Sequence, residues 1–183
     1  MRSRRAGERV LAGLTKLYDR LHLQVNEAKT AVALATGRKF LGYALWRSAG
    51  GRIKCAAARK ALETFKQRIR QLTRRSGGRN LSEIAERLRA YMPGWKAYFQ
   101  LAQTPKVFRE LDEWIRHRLR AVQLKRWRRG TTMYRELKAL GASETDARQV
   151  AANSRRWWRN SRLLLSRALP VAYFGRLGVP RLS

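Results

Sequence analysis

The sequence has only 12 acidic residues, two histidines and one cysteine among its 183 residues. With Cys55 as the sole cysteine, no intramolecular disulfide and no cysteine zinc cluster can form. The scattered carboxylates and histidines predict no metal site, so we expect no resident cofactor and no catalytic residue. The motifs GxxxxGK, HExxH, CxxC and GxSxG are also missing. Their absence leaves hydrolase and nucleotide-binding interpretations without support.

Long apolar runs are missing as well. Residues 6–21, which follow the basic start of the chain, are amphipathic and interrupted by charges. This pattern argues against a signal peptide and against a membrane-spanning segment. We therefore expect a cytoplasmic protein with no membrane partner.

Positive charge is what the sequence has in excess. Forty-two Lys and Arg give a net charge of +30, 32 of them are Arg, and residues 1–55, 56–129 and 130–183 are each basic. The mutual repulsion of so many positive charges destabilises a compact state, whereas counterion release favours binding to a phosphate backbone. Arginine binds phosphate bidentately and stacks on bases. The composition predicts a nucleic-acid partner, with RNA at least as favoured as DNA.

Hydrophobic spacing predicts an α+β fold that is mainly α. Apolar residues at helical intervals predict an amphipathic helix over 8–22. Short apolar runs predict three strands, with a glycine turn at 48–51 before the last: Ala31–Ala35, Phe40–Trp46 and Arg52–Cys55. The change of period near residue 56 predicts a boundary between a region 1–55 and a helical region 56–183.

Helical periodicity continues through the second region. We expect one helix from Ala56 to a stop at 76–78, and a second from Leu81 that Pro93 kinks or stops. A third should begin at Thr104-Pro105. Short helices should follow Gly130 and pass through Trp157-Trp158 into the run 163–165.

Basic residues on these helices are the candidate RNA-binding residues. A charge run is usually a solvated face, but too few acids are present to compensate these cations. Trp127 could stack on a base or lie in the core, whereas Trp95 and Trp114 continue apolar stripes and favour the core. The candidates are Arg68, Arg70, Arg74, Arg75, Lys96, Arg116, Arg118, Arg120, Lys125, Arg126, Trp127, Arg128, Arg129, Arg155 and Arg156.

Four segments resemble the C-terminal part of the group II intron-encoded reverse transcriptase/maturase family. The first, 2–30, ends in the NxxKT turn at Asn26–Thr30, and the second is the FLGY primer-grip motif formed by Phe40, Leu41, Gly42 and Tyr43. The third is GWxxYF at 94–99 with the helix at 111–120 that follows it. The fourth combines Trp157-Trp158 with Tyr173-Phe174 and Gly178. Each motif alone is weak, but their order is specific.

The resemblance implies that 1–55 is the end of a polymerase palm and that 56–183 is the maturase-specific thumb domain. It implies group II intron RNA as partner, with a DNA target or an N-terminal reverse transcriptase fragment as further candidates. The family's YADD aspartates, which hold catalytic Mg²⁺, do not occur in this sequence. We therefore expect an RNA-binding maturase fragment without polymerase activity of its own. The alternatives are one piece of a split or misannotated RNA-directed DNA polymerase, which would bind Mg²⁺ only when complemented, and a nonfunctional mobile-element remnant.

Overall fold

Helices make up most of the computed structural model, which describes residues 3–75, 78–161 and 165–183. Predictions for Arg2, Ser76-Gly77 and Leu163-Leu164 lie outside these ranges. The helices are α1 Arg4–Arg20, α2 Arg59–Leu72, α3 Leu81–Tyr98, α4 Pro105–Trp127, α5 Gly130–Ala139, α6 Glu144–Ala152, α7 Trp157–Asn160, α8 Leu165–Ala168 and α9 Val171–Arg176. The strands are β1 Lys39–Phe40, β2 Tyr43–Arg47 and β3 Ile53–Ala57. The predicted α+β, mainly α class is confirmed.

The three strands form one antiparallel sheet in the order β1-β2-β3. The single strand predicted over Phe40–Trp46 is wrong, because Leu41 and Gly42 both have positive φ and turn the chain between β1 and β2. The strand predicted over Ala31–Ala35 is also wrong. Within the described ranges this segment has no neighbouring strand, and only the adjacent Thr36 forms an isolated bridge to Leu45. An apolar run without a hydrogen-bonding partner does not form a strand.

The amphipathic helix predicted near the start of the chain is α1. It begins earlier than predicted because the side chain of Ser3 caps it by accepting a hydrogen bond from the Ala6 N–H. Its apolar stripe is not covered by the described residues, since Val10, Leu14 and Leu17 are all exposed. This helix therefore presents an apolar surface to the outside.

The core lies between α2, α3 and α4. Phe65 and Ile69 of α2 face Ile84 and Leu88 of α3, and Leu119 of α4 is also fully buried. The helix α4 begins at Pro105 as predicted. The helix α3 continues through the exposed Pro93 to Tyr98 instead of stopping there, because residues on both sides of the proline pack against the core.

The short helices predicted after Gly130 are present. Ser143 caps α6 by accepting from the Asp146 N–H, and Gly141 has the positive φ of a helix stop. A Cβ on Gly130 would lie 2.6 Å from the Ala151 oxygen, so α5 and α6 approach closely there. Among the described residues no helix is both long and apolar enough to cross a membrane.

The boundary predicted between residues 55 and 56 falls inside β3. Backbone contact also links the two regions, since the Gln103 N–H donates to the Cys55 oxygen at 2.7 Å. The division into 1–55 and 56–183 stays a prediction.

Candidate nucleic-acid interface

Two arginines flank an indole where the C-terminal half of α2 meets α4. The guanidinium carbons of Arg70 and Arg118 lie 5.6 Å and 5.3 Å from the Trp114 ring centre. The Nε–H of Arg118 donates to the Thr73 hydroxyl at 2.8 Å, which fixes its guanidinium between the helices. Cations at this distance from an indole face are attracted by its quadrupole. We call Arg70, Arg75, Arg118 and Trp114 the arginine–tryptophan cluster.

The cluster concentrates positive charge. Burial lowers the pKa of Arg118, and the charges of Arg75 and Arg70 lower it further. No carboxylate of the described residues opposes these effects. An anion bound here would relieve the repulsion between the three guanidinium groups. Arg68 and Arg74 are also exposed near this end of α2 and extend the basic surface.

A second basic surface forms where α4 ends. The exposed side chains of Arg126, Arg128 and Arg129 lie around this helix end, where Arg128 has a positive φ of 56°. The ammonium of Lys125 lies 5.4 Å from the Trp157 ring centre, so α4 contacts α7 here. This contact brings the exposed Arg155 and Arg156, which immediately precede Trp157, toward the same end of α4.

Trp127 and Trp95 both lie against the core rather than standing free. Trp127 is half-buried and packs against the core residues. Trp95 contacts Phe65 and Phe99, with ring centres 4.3 Å and 4.6 Å away. The core interpretation of Trp95 is confirmed, and the structure favours the same interpretation for Trp127.

Arg116 and Arg120 lie inside the fold. They are 6% and 8% exposed, and burial lowers the pKa of both guanidinium groups. The Nε–H of Arg120 donates to the Leu169 oxygen at 3.0 Å, and Arg116 lies 3.9 Å from the Asp112 carboxylate. Because both side chains lie below the outer surface, we leave them out of the two exposed basic surfaces.

Asp112 organises the end of the described chain. Its carboxylate accepts hydrogen bonds from the backbone N–H groups of Leu182 and Ser183 at 3.0 Å and from the Ser183 hydroxyl at 2.7 Å. Lys96, a candidate RNA contact, donates to the Arg181 oxygen at 3.2 Å. Sequence reasoning missed this arrangement around Asp112. The signal was its spacing of four residues from Arg116 on the buried side of α4.

The primer-grip-like hairpin docks onto the end of α3. The Tyr98 hydroxyl donates to the Leu41 oxygen at 2.8 Å, and the Tyr43 hydroxyl donates in return to the Tyr98 oxygen. A Cβ at Gly42 would lie 3.3 Å from Phe99 Cζ. Phe40 and Leu41 point outward and are exposed. Two motifs that are distant in the sequence therefore form one contact.

Comparison with known proteins gives a match within the helical region. Residues 62–141 match the family described as group II intron, maturase-specific domain. No curated protein matches the chain. The matched residues run from α2 to the end of α5, so they include the arginine–tryptophan cluster, the GWxxYF motif and the buried Asp112. Residues 62–141 are therefore similar to the group II intron maturase-specific domain.

Proposed function

We propose that this chain binds group II intron RNA through its exposed arginines and helps that RNA to reach its splicing-competent fold. The maturase-specific domain supports the choice of RNA, and the net charge of +30 supports a polyanionic partner. The intron RNA performs the transesterifications itself. The protein contributes binding and orientation.

The arginine–tryptophan cluster is the observation that carries this proposal. Two guanidinium groups, those of Arg70 and Arg118, lie near one indole, and the charge of Arg75 also acts on Arg118; no carboxylate among the described residues compensates them there. Bidentate donors and an aromatic ring suit the phosphates and bases of folded RNA. The basic surface at the end of α4 extends the same interface.

Polymerisation by this chain alone is not part of the proposal. Two-metal phosphoryl transfer needs carboxylates that hold both ions, and the YADD motif that supplies them in the resembling family does not occur in this sequence. Mg²⁺ would enter only with a partner that carries such a site.

Replacing Arg70 and Arg75 by glutamine is expected to weaken binding to a group II intron transcript about 3-fold to 10-fold near physiological salt. The magnitude of the slope of log affinity against log salt concentration should fall by about one to two. The reason is that fewer counterions are released on binding when fewer phosphates are contacted. Filter binding across a salt series measures both quantities.

The matched control replaces the exposed Arg47, which ends β2, and the exposed Arg52, which precedes β3, by glutamine. This variant removes the same charge away from the cluster. Equal losses in both variants would mean that only total charge matters. An unrelated structured RNA tests selectivity in parallel. Equal and steeply salt-dependent binding of the wild type to both RNAs would contradict a maturase role and favour a remnant.

Replacing Arg126, Arg128 and Arg129 together by glutamine tests the second surface. We expect the salt slope to fall by up to about one for each lost contact. Circular dichroism should be unchanged, because all three side chains are exposed. An unaltered affinity and slope would remove this surface from the interface.

A second candidate function is supported by the uncovered apolar stripe of α1. Val10, Leu14 and Leu17 form an exposed face in a strongly charged chain, which suits a protein partner. We propose an N-terminal reverse transcriptase fragment as that partner, with a DNA target reached only through it. Co-purification with a fragment that carries YADD would support this candidate. Loss of the complex on replacing Leu14 and Leu17 by serine would place the contact surface on α1.

A further inference from the structure

A cleft of about 920 Å³ separates one face of α4 from α7, α8 and α9. From α4 it is lined by Glu110, Glu113 and Arg116, among others, and from α7 by Trp158 and Arg159. A cleft of this size accommodates a nucleotide. Its lining differs from the rest of the basic surface, because indole, carboxylate and guanidinium groups all face it.

Trp158 forms an aromatic wall that is held in place yet open. The His117 ring lies against it with centres 3.8 Å apart, and His117 Nε2 lies 2.9 Å from the Trp158 carbonyl oxygen. Even so, Trp158 is 43% exposed. A rigid and partly open indole is a platform on which an unpaired base can stack.

Two carboxylates lie one helical turn apart on the α4 side of the cleft. Within the described ranges, neither Glu110 nor Glu113 has a basic nitrogen within 4 Å, although the charge of Glu113 raises the pKa of the nearby Arg116. Carboxylates facing an RNA would repel its phosphates, so their position in the cleft suits the donor groups of a base. Guanine presents adjacent N1–H and N2–H donors on its Watson–Crick edge, and a carboxylate accepts such a pair bidentately.

Arg116 supplies a buried donor that lacks a partner. It lines the cleft and is 6% exposed, and its Nε atom has no hydrogen-bond partner among the described residues. A buried unsatisfied donor is uncommon in a folded protein. Arg116 also lines an adjoining depression of about 450 Å³ together with Arg181. An oxygen-rich group, such as the phosphate or ribose of a nucleotide, would satisfy it.

We propose that this cleft binds one unpaired guanosine nucleotide of the RNA. The base stacks on Trp158, its Watson–Crick edge donates to Glu110 and Glu113, and its phosphate or ribose accepts from Arg116. The inference rests on the proposed RNA-binding function and specifies which base one site of the protein recognises. This cleft recognises one particular base, whereas the arginine–tryptophan cluster binds phosphates and bases without distinguishing between bases.

The test uses three short single-stranded probes that differ at one position: oligouridine, and oligouridine with a central guanosine or a central adenosine. At fixed moderate salt, fluorescence anisotropy should show the full chain binding the guanosine probe about 10-fold more tightly than the adenosine probe. In the variant Glu110→Gln with Glu113→Gln, this ratio should fall to about one. Its affinity for plain oligouridine should stay equal or rise, because two negative charges are removed.

A matched pair of tryptophan variants tests the stacking wall. Trp158→Leu should weaken binding of the guanosine probe about 5-fold to 10-fold. Trp46→Leu should leave it unchanged, since Trp46 is similarly exposed at 40% but lies on the small sheet. Circular dichroism verifies that both variants fold. If Trp158→Leu disturbs the fold, the doubly substituted glutamate variant decides, because both glutamates are exposed.

Equal affinity for all three probes, with a steep salt dependence, would overturn the guanosine site and leave the proposed RNA binding standing. A guanosine preference that survives in the glutamate variant would also overturn it. Failure of every probe and of the intron transcript to bind would overturn both proposals.

Discussion

Replacing Phe65 by alanine is expected to lower the free energy of unfolding by about 3–5 kcal/mol. Phe65 is completely buried between α2 and α3. Its ring centre lies 4.3 Å from that of Trp95 and 5.7 Å from that of Tyr91. Removing it loses the transfer free energy of a large side chain and leaves a cavity whose aromatic walls cannot collapse easily.

Urea denaturation followed by far-ultraviolet circular dichroism measures this loss. The control is Phe40→Ala, which removes the same ring at a position that is 74% exposed. Its effect should stay within about 0.5 kcal/mol. A loss below about 1 kcal/mol for Phe65→Ala would contradict the assignment of this residue to the centre of the core.

Replacing Asp112 by asparagine is expected to lower the free energy of unfolding by about 3 kcal/mol or more. The carboxylate is 4% exposed and accepts hydrogen bonds from Leu182 and Ser183. It also offsets the charge of the buried Arg116. The amide has nearly the same shape, but it removes the larger of the two carboxylate charges that stabilise the buried Arg116 and supplies only one acceptor oxygen.

The matched control is Glu86→Gln, which removes one negative charge from an exposed position of α3. Its stability should change by less than about 0.5 kcal/mol. Amide hydrogen exchange gives a second readout, because the N–H groups of Leu182 and Ser183 should lose protection in the Asp112 variant alone. Equal stability of the two variants would show that Asp112 does not hold the end of the chain.

The helices were predictable because their apolar residues recur at helical spacing. Phe65 and Ile69 of α2 and Leu119 of α4 are all buried as their stripes predict. The strands were harder, because a strand depends on a neighbour that local sequence does not show. The run Ala31–Ala35 has the composition of a strand but no partner, and Leu34 within it is highly exposed. Positive φ at Leu41 was not predictable either, since Gly42 alone carried the turn signal.

The candidate site was predictable in outline and not in detail. Net charge predicted a polyanionic partner, and motif order predicted the maturase-specific domain to which residues 62–141 are similar. The arginines of α4 differ in burial and in their contacts, and these differences cannot be read from the distribution of charge along the sequence. Arg118 lies on Trp114 beside α2, whereas Arg120 reaches the Leu169 oxygen, 49 residues further along the chain. The cleft facing Trp158 also depends on such distant contacts, which the Trp157-Trp158 motif does not reveal by itself.

The reciprocal contact between the hairpin and α3 constrains how this protein can evolve. Tyr43 and Tyr98 each donate to a carbonyl in the other segment, and a Cβ at Gly42 would be in tight contact, at 3.3 Å, with the Phe99 ring. A change at one of these positions alters what the other can tolerate. Among related sequences, position 43 should therefore covary with position 98, and a bulkier residue at position 42 should accompany a smaller one at position 99. The two motifs would be inherited as one unit, although 55 residues separate the tyrosines.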